Sequence, residues 1–201
     1  MKPEKSFGEL LAPHVTGDAL LRLIRYGELL ERWSARHSLV RFKSREELVR
    51  RHIVDALAGA PFLPRGGTLL DVGSGAGLPG VPLLATNEGV TGNLLEPRQK
   101  RWAFLRLVIR ELDLKATAER ERFENLDPEQ RWDRITARAV GGDEALLRWA
   151  AGRLEPRGEV LLWTTLEGEE RLQTFSGWRV LSSAIPGLDR GRLCRLQPRF
   201  T

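Results

Sequence analysis

The spacing of apolar positions divides the chain into a helical N-terminal part and a longer part in which strands and helices alternate. Up to about residue 60, apolar side chains recur every three or four positions, which indicates one face of a helix. They are Leu20, Leu21, Ile24, Leu29, Leu30 and Trp33. A further helix is predicted from Ser44, because Ser44 and Glu47 form a capping-box pattern ahead of an apolar run. The segment "PFLPRGG" then breaks the helical pattern with prolines and glycines.

Beyond this break, strand-like and helix-like segments follow each other in turn. Strands are predicted at 68–72, 91–96, 115–119, 132–137 and 158–164, and helices at about 78–86, 98–113, 143–154 and 167–174. Such alternation is typical of βαβ units, which form a mostly parallel sheet. The segments "WRVLSSAIP" and "GRLCRLQPRF" predict two final strands, joined across "GLD" as an antiparallel hairpin. We therefore expect an α/β fold with a seven-stranded sheet.

The break also suggests how the chain is organised. We expect residues 1–64 to form an N-terminal helical extension that packs on a core domain of residues 65–201. At 201 residues the whole chain is short enough to fold as one compact unit with a sizeable hydrophobic core.

Composition restricts the class of protein. Hydrophobic residues make up 41% and charged residues 29% of the chain, as in folded globular proteins. Cys194 is the only cysteine, so no intrachain disulfide can form. No apolar run is as long as a signal-sequence core or a membrane span. We therefore expect a cytoplasmic protein with no membrane partner.

The charge balance is basic and is dominated by arginine. The net charge is +5, the isoelectric point is near 10.0, and 27 of the 32 basic residues are arginine. Arginine binds phosphate with two parallel hydrogen bonds and stacks on bases, which suits an RNA partner. A GC-rich genome or a hot habitat produces the same bias, so the composition by itself leaves the question of an RNA partner open.

The segment "TLLDVGSGAGLPGVP" places a glycine-rich loop after the first strand of the predicted sheet. Such a loop lets backbone approach a nucleotide-derived ligand closely, next to the N-terminus of the following helix. Two registers compete. Gly75, Gly77 and Gly80 match the G-x-G-x-x-G pattern of dinucleotide sites, which is a weak signal by itself. Asp71 with Gly73, Gly75 and Gly77 matches D-x-G-x-G-x-G instead.

Asp71 favours S-adenosylmethionine over a dinucleotide, whereas Glu96 supports a nucleoside ligand of either kind. Asp71 would repel a pyrophosphate, but it would attract the sulfonium and ammonium groups of S-adenosylmethionine. Glu96 ends the second strand, where an acidic residue holds the ribose hydroxyls of nucleoside ligands. The sequence therefore predicts S-adenosylmethionine as the cofactor.

Several segments together resemble one family. In order, they are "RHIVDALAGAPFL" (51–63), "LLDVGSGAGLPGVPL" (69–83), "LLEPRQKRWAFLRLVIRELDL" (94–114), "WDRITARAV" (132–140) and "PGLDRGRLCRL" (186–196). The most distinctive motifs are R-H-x-x-D before the first strand, G-L-P-G in the glycine loop and K-R-x-x-F-L after the second carboxylate. Over roughly residues 20–197, the chain resembles the bacterial small-subunit rRNA guanine-N7 methyltransferases, RsmG, also called glucose-inhibited division protein B.

This resemblance implies a Rossmann-like class I S-adenosylmethionine-dependent methyltransferase fold. It implies methyl transfer from S-adenosylmethionine to N7 of a guanosine in a conserved decoding-region loop of 16S rRNA. Gly73 and Leu78 would contact the cofactor, Phe123 and Glu124 would contact its adenine, and Arg138 would lie at the methyl-transfer site. The implied partner is 16S rRNA or the small ribosomal subunit, and the protein would act as a monomer.

No general base or metal site is expected from the sequence. Guanine N7 carries a free lone pair, so it can accept a methyl group without first losing a proton. His52 and Asp55 lie three residues apart on one helical face, and we interpret them as docking this helix against the cofactor loop rather than as an acid–base pair. The basic residues Arg98, Lys100 and Arg101 follow the second strand and are candidates for contacts with RNA phosphates.

The chain departs from the family pattern at several positions. Ser34 and Ser38 replace asparagines, and Thr164 lies near the place where a lysine–glycine pair is common. These changes motivate one alternative, an RNA- or ribosome-binding module that keeps the fold with weakened catalysis. The other alternative is a nicotinamide-dependent oxidoreductase, against which Asp71 and the absence of a hydride-site pair both argue.

Overall fold

The computed structural model describes residues 4–138 and 143–199, without the side chain of Asp143. Helices dominate the first part of the chain. They are α1 (Phe7–Leu11), α2 (Gly17–His37), α3 (Arg45–Leu48), a π-helical turn (Val49–Val54), α4 (Asp55–Leu57) and a 3₁₀ turn (Ala60–Phe62). The 3₁₀ turn leads into the first strand.

The rest of the described chain forms one sheet of seven strands flanked by helices. The strands are β1 (Gly67–Val72), β2 (Val90–Leu95), β3 (Ala116–Glu119), β4 (Trp132–Arg138), β5 (Leu154–Thr165), β6 (Trp178–Ala184) and β7 (Gly191–Pro198). The helices are α5 (Gly80–Ala85), α6 (Gln99–Glu111), α7 (Asp143–Ala150) and α8 (Leu166–Gln173), with a 3₁₀ turn at Phe123–Asn125.

The strand order is β3-β2-β1-β4-β5-β7-β6. The first five strands in this order are parallel, and β7 runs antiparallel to both β5 and β6. The predicted α/β class, the mostly parallel sheet and the C-terminal hairpin are confirmed. Because β1, β2 and β4 run parallel, the loops that follow them open at the same edge of the sheet.

Two predicted boundaries differ from the structure by more than two residues. Helix α7 ends at Ala150, not at 154, and β5 begins at Leu154, not at 158. The sequence pattern predicts a later start for β5 because it contains Pro156 and Gly158, and both residue types usually interrupt strands. The strand tolerates them because its pairing with β4 is irregular: Trp132 pairs with Leu154, whereas Arg134 pairs with Glu159.

The predicted capping box at Ser44 forms only in part. The Ser44 hydroxyl accepts a hydrogen bond from the Glu47 amide at 3.2 Å. The Glu47 carboxylate accepts its bond from the Lys43 amide at 2.7 Å instead of from Ser44. Ser44 therefore caps the helix, but the reciprocal bond of a capping box is missing, because Glu47 bonds the amide of Lys43 and not that of Ser44.

Two hydrophobic clusters fill the interior. One contains side chains from α2, α5 and α6 together with Leu161 and Trp163 of β5. The other contains Trp132, side chains of α7 and residues of β5 and β7. The N-terminal helices thus share a core with the sheet, and this brings α2 and the π-helical turn next to the edge where the loops open.

The longest helix, α2, is 21 residues, and it carries charged residues throughout. Among residues 4–138 and 143–199, no helix combines the length and the apolar character needed to cross a membrane.

Candidate cofactor site

The glycine loop after β1 has a backbone that only glycine adopts easily. Gly73, Gly75 and Gly77 have φ angles of 67°, 58° and 91°. In this left-handed region a Cβ atom clashes with the backbone, so other residues are disfavoured. The Ser74 amide donates to the carbonyl of Leu95 at 2.8 Å, which holds the loop against the end of β2. The loop therefore presents bare backbone at the carboxyl edge of the sheet.

Asp71 lies behind this loop rather than in front of it. The side chain is fully buried, and its carboxylate accepts hydrogen bonds from the Thr136 hydroxyl at 2.8 Å and from the Gly80 amide at 3.2 Å. Burial raises its pKa to about 6, against the hydrogen bonds that lower it. Asp71 thus ties the start of α5 to β4 and fixes the shape of the loop. This placement differs from the direct ligand contact expected of it.

Glu96 fixes the other side of the loop. It is 3% exposed, and its carboxylate accepts from the Gly75 amide at 3.1 Å and from the Arg98 amide at 2.8 Å. The Arg101 guanidinium lies 4.0 Å away. A Cβ added to Gly75 would lie 3.4 Å from Arg101 and 4.0 Å from Glu96. The space beside Glu96 is therefore open only because residue 75 has no side chain.

Tyr26 of α2 contacts the glycine loop on the side that faces the protein interior. No sequence pattern indicated this contact. This buried tyrosine of α2 donates its hydroxyl hydrogen to the carbonyl of Ala76 at 2.7 Å. Burial, with the nearby charge of Asp71, raises the pKa of its hydroxyl well above the usual value, so it stays a donor. The N-terminal helical part thus contributes directly to the conformation of the glycine loop.

A cavity of about 470 Å³ opens in front of the loop. Its wall brings together predicted site residues from three separate parts of the chain, namely Gly73, Gly75, Leu78, Glu96, Arg98, Arg101 and Arg138. The remaining wall includes Leu39, Val40 and His52, which the sequence did not assign to a ligand site. The size is in the range of pockets that bind small organic ligands.

Arg138, at the end of β4, is held by three groups from the segment around the π-helical turn. Its guanidinium lies 2.8 Å from the Asp55 carboxylate, donates to the Arg51 carbonyl at 3.0 Å and approaches Nδ1 of His52 at 3.4 Å. π-Helical turns are rare and often occur at functional sites, because the widened turn redirects side chains. Here the turn and the residue directly after it direct three groups at Arg138: the Arg51 carbonyl, the His52 imidazole and the Asp55 carboxylate.

His52 and Asp55 do not form an acid–base pair with each other; both face Arg138. Burial and the Arg138 charge lower the pKa of His52 to about 4, so the imidazole is neutral near pH 7. Burial raises the pKa of Asp55 to about 6, and the Arg138 charge opposes this shift. Both residues do dock the helical segment, but they dock it against Arg138 at the end of β4 and not against the glycine loop, as the sequence interpretation expected.

Comparison with known proteins places the chain in one family. The family model described as GidB, rRNA small subunit methyltransferase G, matches residues 20–182. The chain belongs to this family. The resemblance seen in the sequence motifs is thereby confirmed.

Curated relatives named ribosomal RNA small subunit methyltransferase G match most of the chain. The protein of Stenotrophomonas maltophilia (strain K279a) is 35% identical over 171 residues, which cover 83% of this chain and 80% of that protein. The protein of Xanthomonas campestris pv. campestris (strain 8004) is 34% identical over 188 residues, covering 91% and 88%. The protein of Legionella pneumophila (strain Corby) is 31% identical over 185 residues, covering 90% and 86%.

Solved methyltransferase structures share the fold at low sequence identity. The glycopeptide N-methyltransferase MtfA has a TM-score of 0.60 at 16% identity and covers 73% of this chain and 90% of its own. The precorrin-6y C5,15-methyltransferase of Geobacter metallireducens GS-15 has a TM-score of 0.58 at 18% identity, covering 81% and 92%. The Rossmann-like methyltransferase fold expected of a GidB-family member is thereby confirmed.

Some of the predicted site residues lie outside the cavity wall. Phe123 and Glu124 are in the 3₁₀ turn after β3, where the Phe123 ring packs edge-on against Trp149 at 5.2 Å and Glu124 is exposed. Lys100 is exposed in the first turn of α6. Gly77 faces inward, since a Cβ there would meet Val81 and, at 3.2 Å, the Tyr26 hydroxyl.

The departures from the GidB pattern have local structural consequences. Ser38 ends α2 in the left-handed conformation with φ of 50°, which asparagine adopts more readily than serine. The Ser34 hydroxyl is buried without a hydrogen-bond partner among the described residues. Thr164 lies beside Gly168, and Thr165 caps α8 by accepting from the Gly168 amide at 3.3 Å. Ser34 and Ser38 lie at the C-terminal end of α2 and Thr164 lies at the end of β5, and none of them lines the cofactor cavity.

The described residues contain no group of three or more His, Cys, Asp or Glu side chains that could hold a metal ion.

Proposed function

We propose that this protein transfers a methyl group from S-adenosylmethionine to N7 of a guanosine in a decoding-region loop of 16S rRNA. The observation that carries the proposal is the cavity at the carboxyl edge of the sheet, lined by Gly73, Glu96 and Arg138, in a chain of the GidB family. The acceptor position within the RNA rests on the family resemblance.

The donor set of the cavity fits S-adenosylmethionine part by part. Glu96 is a buried carboxylate on the wall, and it suits the two ribose hydroxyls as an acceptor. Arg138 is a fixed cation on the same wall, and a guanidinium pairs well with the carboxylate of an amino acid. Gly73 and Gly75 have no side chains, so the ligand can approach their backbone closely. Leu78 adds an apolar surface to the same wall.

Other implied contacts are indirect or lie further out. Asp71 and Gly77 shape the loop from behind and act as positioning residues. Phe123 and Glu124 follow β3 at the same edge of the sheet, and we assign them to the adenine. When bound, S-adenosylmethionine supplies an electrophilic methyl group on a sulfonium.

The residues of the cavity need to align and exclude water rather than to move a proton. Guanine N7 has an in-plane lone pair, so the chain does not have to supply a general base. Alignment of two reactants in a fixed geometry can lower a barrier by roughly 7–11 kcal/mol. The neutral His52 on the wall is consistent with this role, because it adds no positive charge near a base that becomes cationic.

We place the action of the protein on the small ribosomal subunit in the cytoplasm, as a monomer. Arg98 and Arg101 line the cavity, and Lys100 is exposed in the first turn of α6, so we assign the three residues to the RNA backbone. Sequence-independent phosphate contacts of this kind position a nucleic acid on its enzyme.

The direct test is incubation with radiolabelled S-adenosylmethionine and 16S rRNA or small subunits from a strain that lacks this methylation. We expect label in the RNA and N7-methylguanosine at one site. Binding without label transfer would support the alternative of a catalytically weakened RNA-binding module. Label at a different atom or site would contradict the proposed acceptor.

A calorimetric titration tests the cofactor. S-adenosylmethionine should bind and NAD should not. Arg138→Ala should weaken binding at least tenfold, and Arg138→Lys should restore part of the affinity. The matched control Arg179→Ala changes an exposed arginine on β6 at the far edge of the sheet and should leave affinity unchanged.

A further inference from the structure

A second groove lies between α2 and α6. It encloses about 330 Å³. Leu29, Trp33 and Leu107 line it with apolar surface, and Arg25, Arg32 and Arg36 line it with positive charge. Nothing in the cofactor site uses this groove, and its mixed character indicates a ligand that is both charged and aromatic.

The positive charge in the groove is only partly neutralised. Arg25 pairs with Glu111 at 2.6 Å, which accounts for the acidic residue on the wall. Arg32 and Arg36 are exposed, and within the described part of the chain neither lies within ion-pair distance of a carboxylate. They are four residues apart on α2 and therefore project from the same face. Two unneutralised cations thus stand along one wall.

An aromatic surface lies beside these cations in the same groove. The half-buried Trp33 ring packs against the His37 ring at 5.1 Å and against Phe104 at 5.3 Å. The contact with Phe104 anchors the indole to α6, while His37 is exposed and lines the groove. Aromatic rings flanked by arginines are the usual surface on which single-stranded nucleic acids stack a base.

The two chain segments that line the groove also contribute residues to the cofactor cavity. Directly after His37 and Ser38, the chain supplies Leu39 and Val40 to the cavity wall. On the other side, α6 supplies Arg101 to the cavity near its N-terminus and Leu107 to the groove further along. A strand lying in the groove would therefore lead towards the cavity.

We propose that the α2–α6 groove binds single-stranded RNA next to the methylated nucleotide, with Arg32 and Arg36 on backbone phosphates and Trp33 with His37 under a base. This inference rests on the proposed function, because it specifies how that substrate is held. Exposed arginines for phosphates and an aromatic surface for a base are the combination that single-stranded RNA uses, and a protein partner is tested below as the other outcome.

The test is charge reversal at the two exposed arginines, with separate measurements of RNA and cofactor binding. In Arg32→Glu and Arg36→Glu variants we expect the dissociation constant for protein-free 16S rRNA to rise at least fivefold each. The KM for RNA should rise with kcat retained, and the affinity for S-adenosylmethionine should not change. Arg179→Glu is the matched control, with the same charge change at the far edge of the sheet.

Salt dependence gives a second readout that a general effect on stability would not move. In Arg32→Gln and Arg36→Gln variants, the slope of log affinity against log salt should decrease by about 0.7 for each phosphate that the protein no longer neutralises. Unchanged RNA affinity in all four variants, or an equally weakened Arg179 control, would overturn the inference. Weaker binding to intact small subunits but not to protein-free RNA would also overturn it and assign the groove to a ribosomal protein.

Failure of the groove and failure of the proposed function are distinguishable. If the unaltered protein labels no RNA, the proposed function fails whatever the variants do. If it labels 16S rRNA while the variants bind that RNA normally, only the role of the groove fails.

Discussion

Arg138 is one of three arginines that line the cofactor cavity, and residues far away in the sequence hold its guanidinium in place. Asp55, His52 and the carbonyl of Arg51 hold the guanidinium from three directions. Asp55 is almost fully buried, and one of its carboxylate oxygens has no hydrogen-bond partner among the described residues. Its main interaction is therefore the ion pair, which makes Asp55 a positioning residue for Arg138.

Tyr26→Phe tests whether α2 sets the conformation of the glycine loop. The change removes one hydroxyl and leaves the carbonyl of Ala76 without its donor. A buried carbonyl that is deprived of its partner costs about 1–3 kcal/mol. We expect the free energy of unfolding to fall by that amount in urea titrations, and the affinity for S-adenosylmethionine to fall several-fold in calorimetry. An unchanged affinity with reduced stability would show that the loop keeps its shape without the hydroxyl.

The neutral state of His52 predicts a pH dependence of stability. Its folded pKa of about 4 lies below the unfolded value of 6.5, so the folded protein binds fewer protons between these values. The contribution of His52 is therefore fully present above pH 6.5 and is lost as the pH falls towards 4. The stability of the unaltered protein relative to a His52→Gln variant should decrease over this window, as measured by urea unfolding at a series of pH values.

The comparison with the variant isolates this histidine from the buried aspartates. Asp55 and Asp71 have pKa values raised to about 6, so their contributions have the opposite sign and are lost as the pH rises from 3.8 to 6. Both proteins contain them, and they cancel in the difference. A relative stability that increases on acidification would contradict a neutral His52.

The loop between β1 and α5 combines a fixed backbone with supports on two sides. The Asp71 carboxylate accepts a hydrogen bond from the Gly80 amide at the start of α5. The carboxylate of Glu96, the residue after β2, accepts one from the Gly75 amide in the loop. Three left-handed glycines make the turn possible without strain. The loop is therefore preorganised before any ligand binds, and its open side faces the cavity.

Gly75→Ala tests the cradle at this loop. The new methyl group would enter the space between Arg101 and Glu96, at a φ of 58° that costs alanine roughly 1–2 kcal/mol. We expect the protein to remain folded and its affinity for S-adenosylmethionine to fall at least tenfold in calorimetry. Gly152→Ala is the matched control, because a Cβ there meets nothing within 4 Å. Equal affinities of the two variants would mean that the ligand does not approach Gly75.

The N-terminal helices take part in the interior of the whole molecule. Leu23, Tyr26 and Leu30 of α2 are fully buried in the same cluster as Phe104 of α6 and Leu161 of β5. A single cluster that joins these elements should unfold with them in one transition. The division into an extension of residues 1–64 and a domain of residues 65–201 stays a prediction, and the shared cluster argues that the two parts depend on each other.

A matched pair of leucines in α2 measures this dependence. Leu30→Ala should lower the free energy of unfolding by about 2–5 kcal/mol, because it leaves a cavity in the shared cluster. Leu21→Ala, in the same helix but 66% exposed, should change it by less than about 0.5 kcal/mol. Urea unfolding followed by α-helical and by tryptophan signals should show one coincident transition for both. Separate transitions would mean that α2 unfolds independently.

Local patterns along the chain predicted most of the fold. Alternating apolar positions and turn residues located each strand, since these signals depend on neighbours a few residues away. The start of β5 was missed because Pro156 and Gly158 act as breakers in sequence, whereas an irregular pairing with β4 accommodates them. The predicted capping box at Ser44 was half correct, since the Glu47 carboxylate accepts from the Lys43 amide.

The sequence by itself determined the class of fold, the glycine loop and the family, because these depend on residue types at fixed local spacing. Only the tertiary structure decided that Asp71 faces inward, that Tyr26 supports the loop and that His52 and Asp55 hold Arg138. The α2–α6 groove belongs to this second group too, as Trp33 and Leu107 meet only when the helices pack. These contacts join residues that are tens of positions apart in the chain. Packing of the whole molecule decides whether such a side chain points into the interior or into the cavity, so no short-range sequence pattern can predict it.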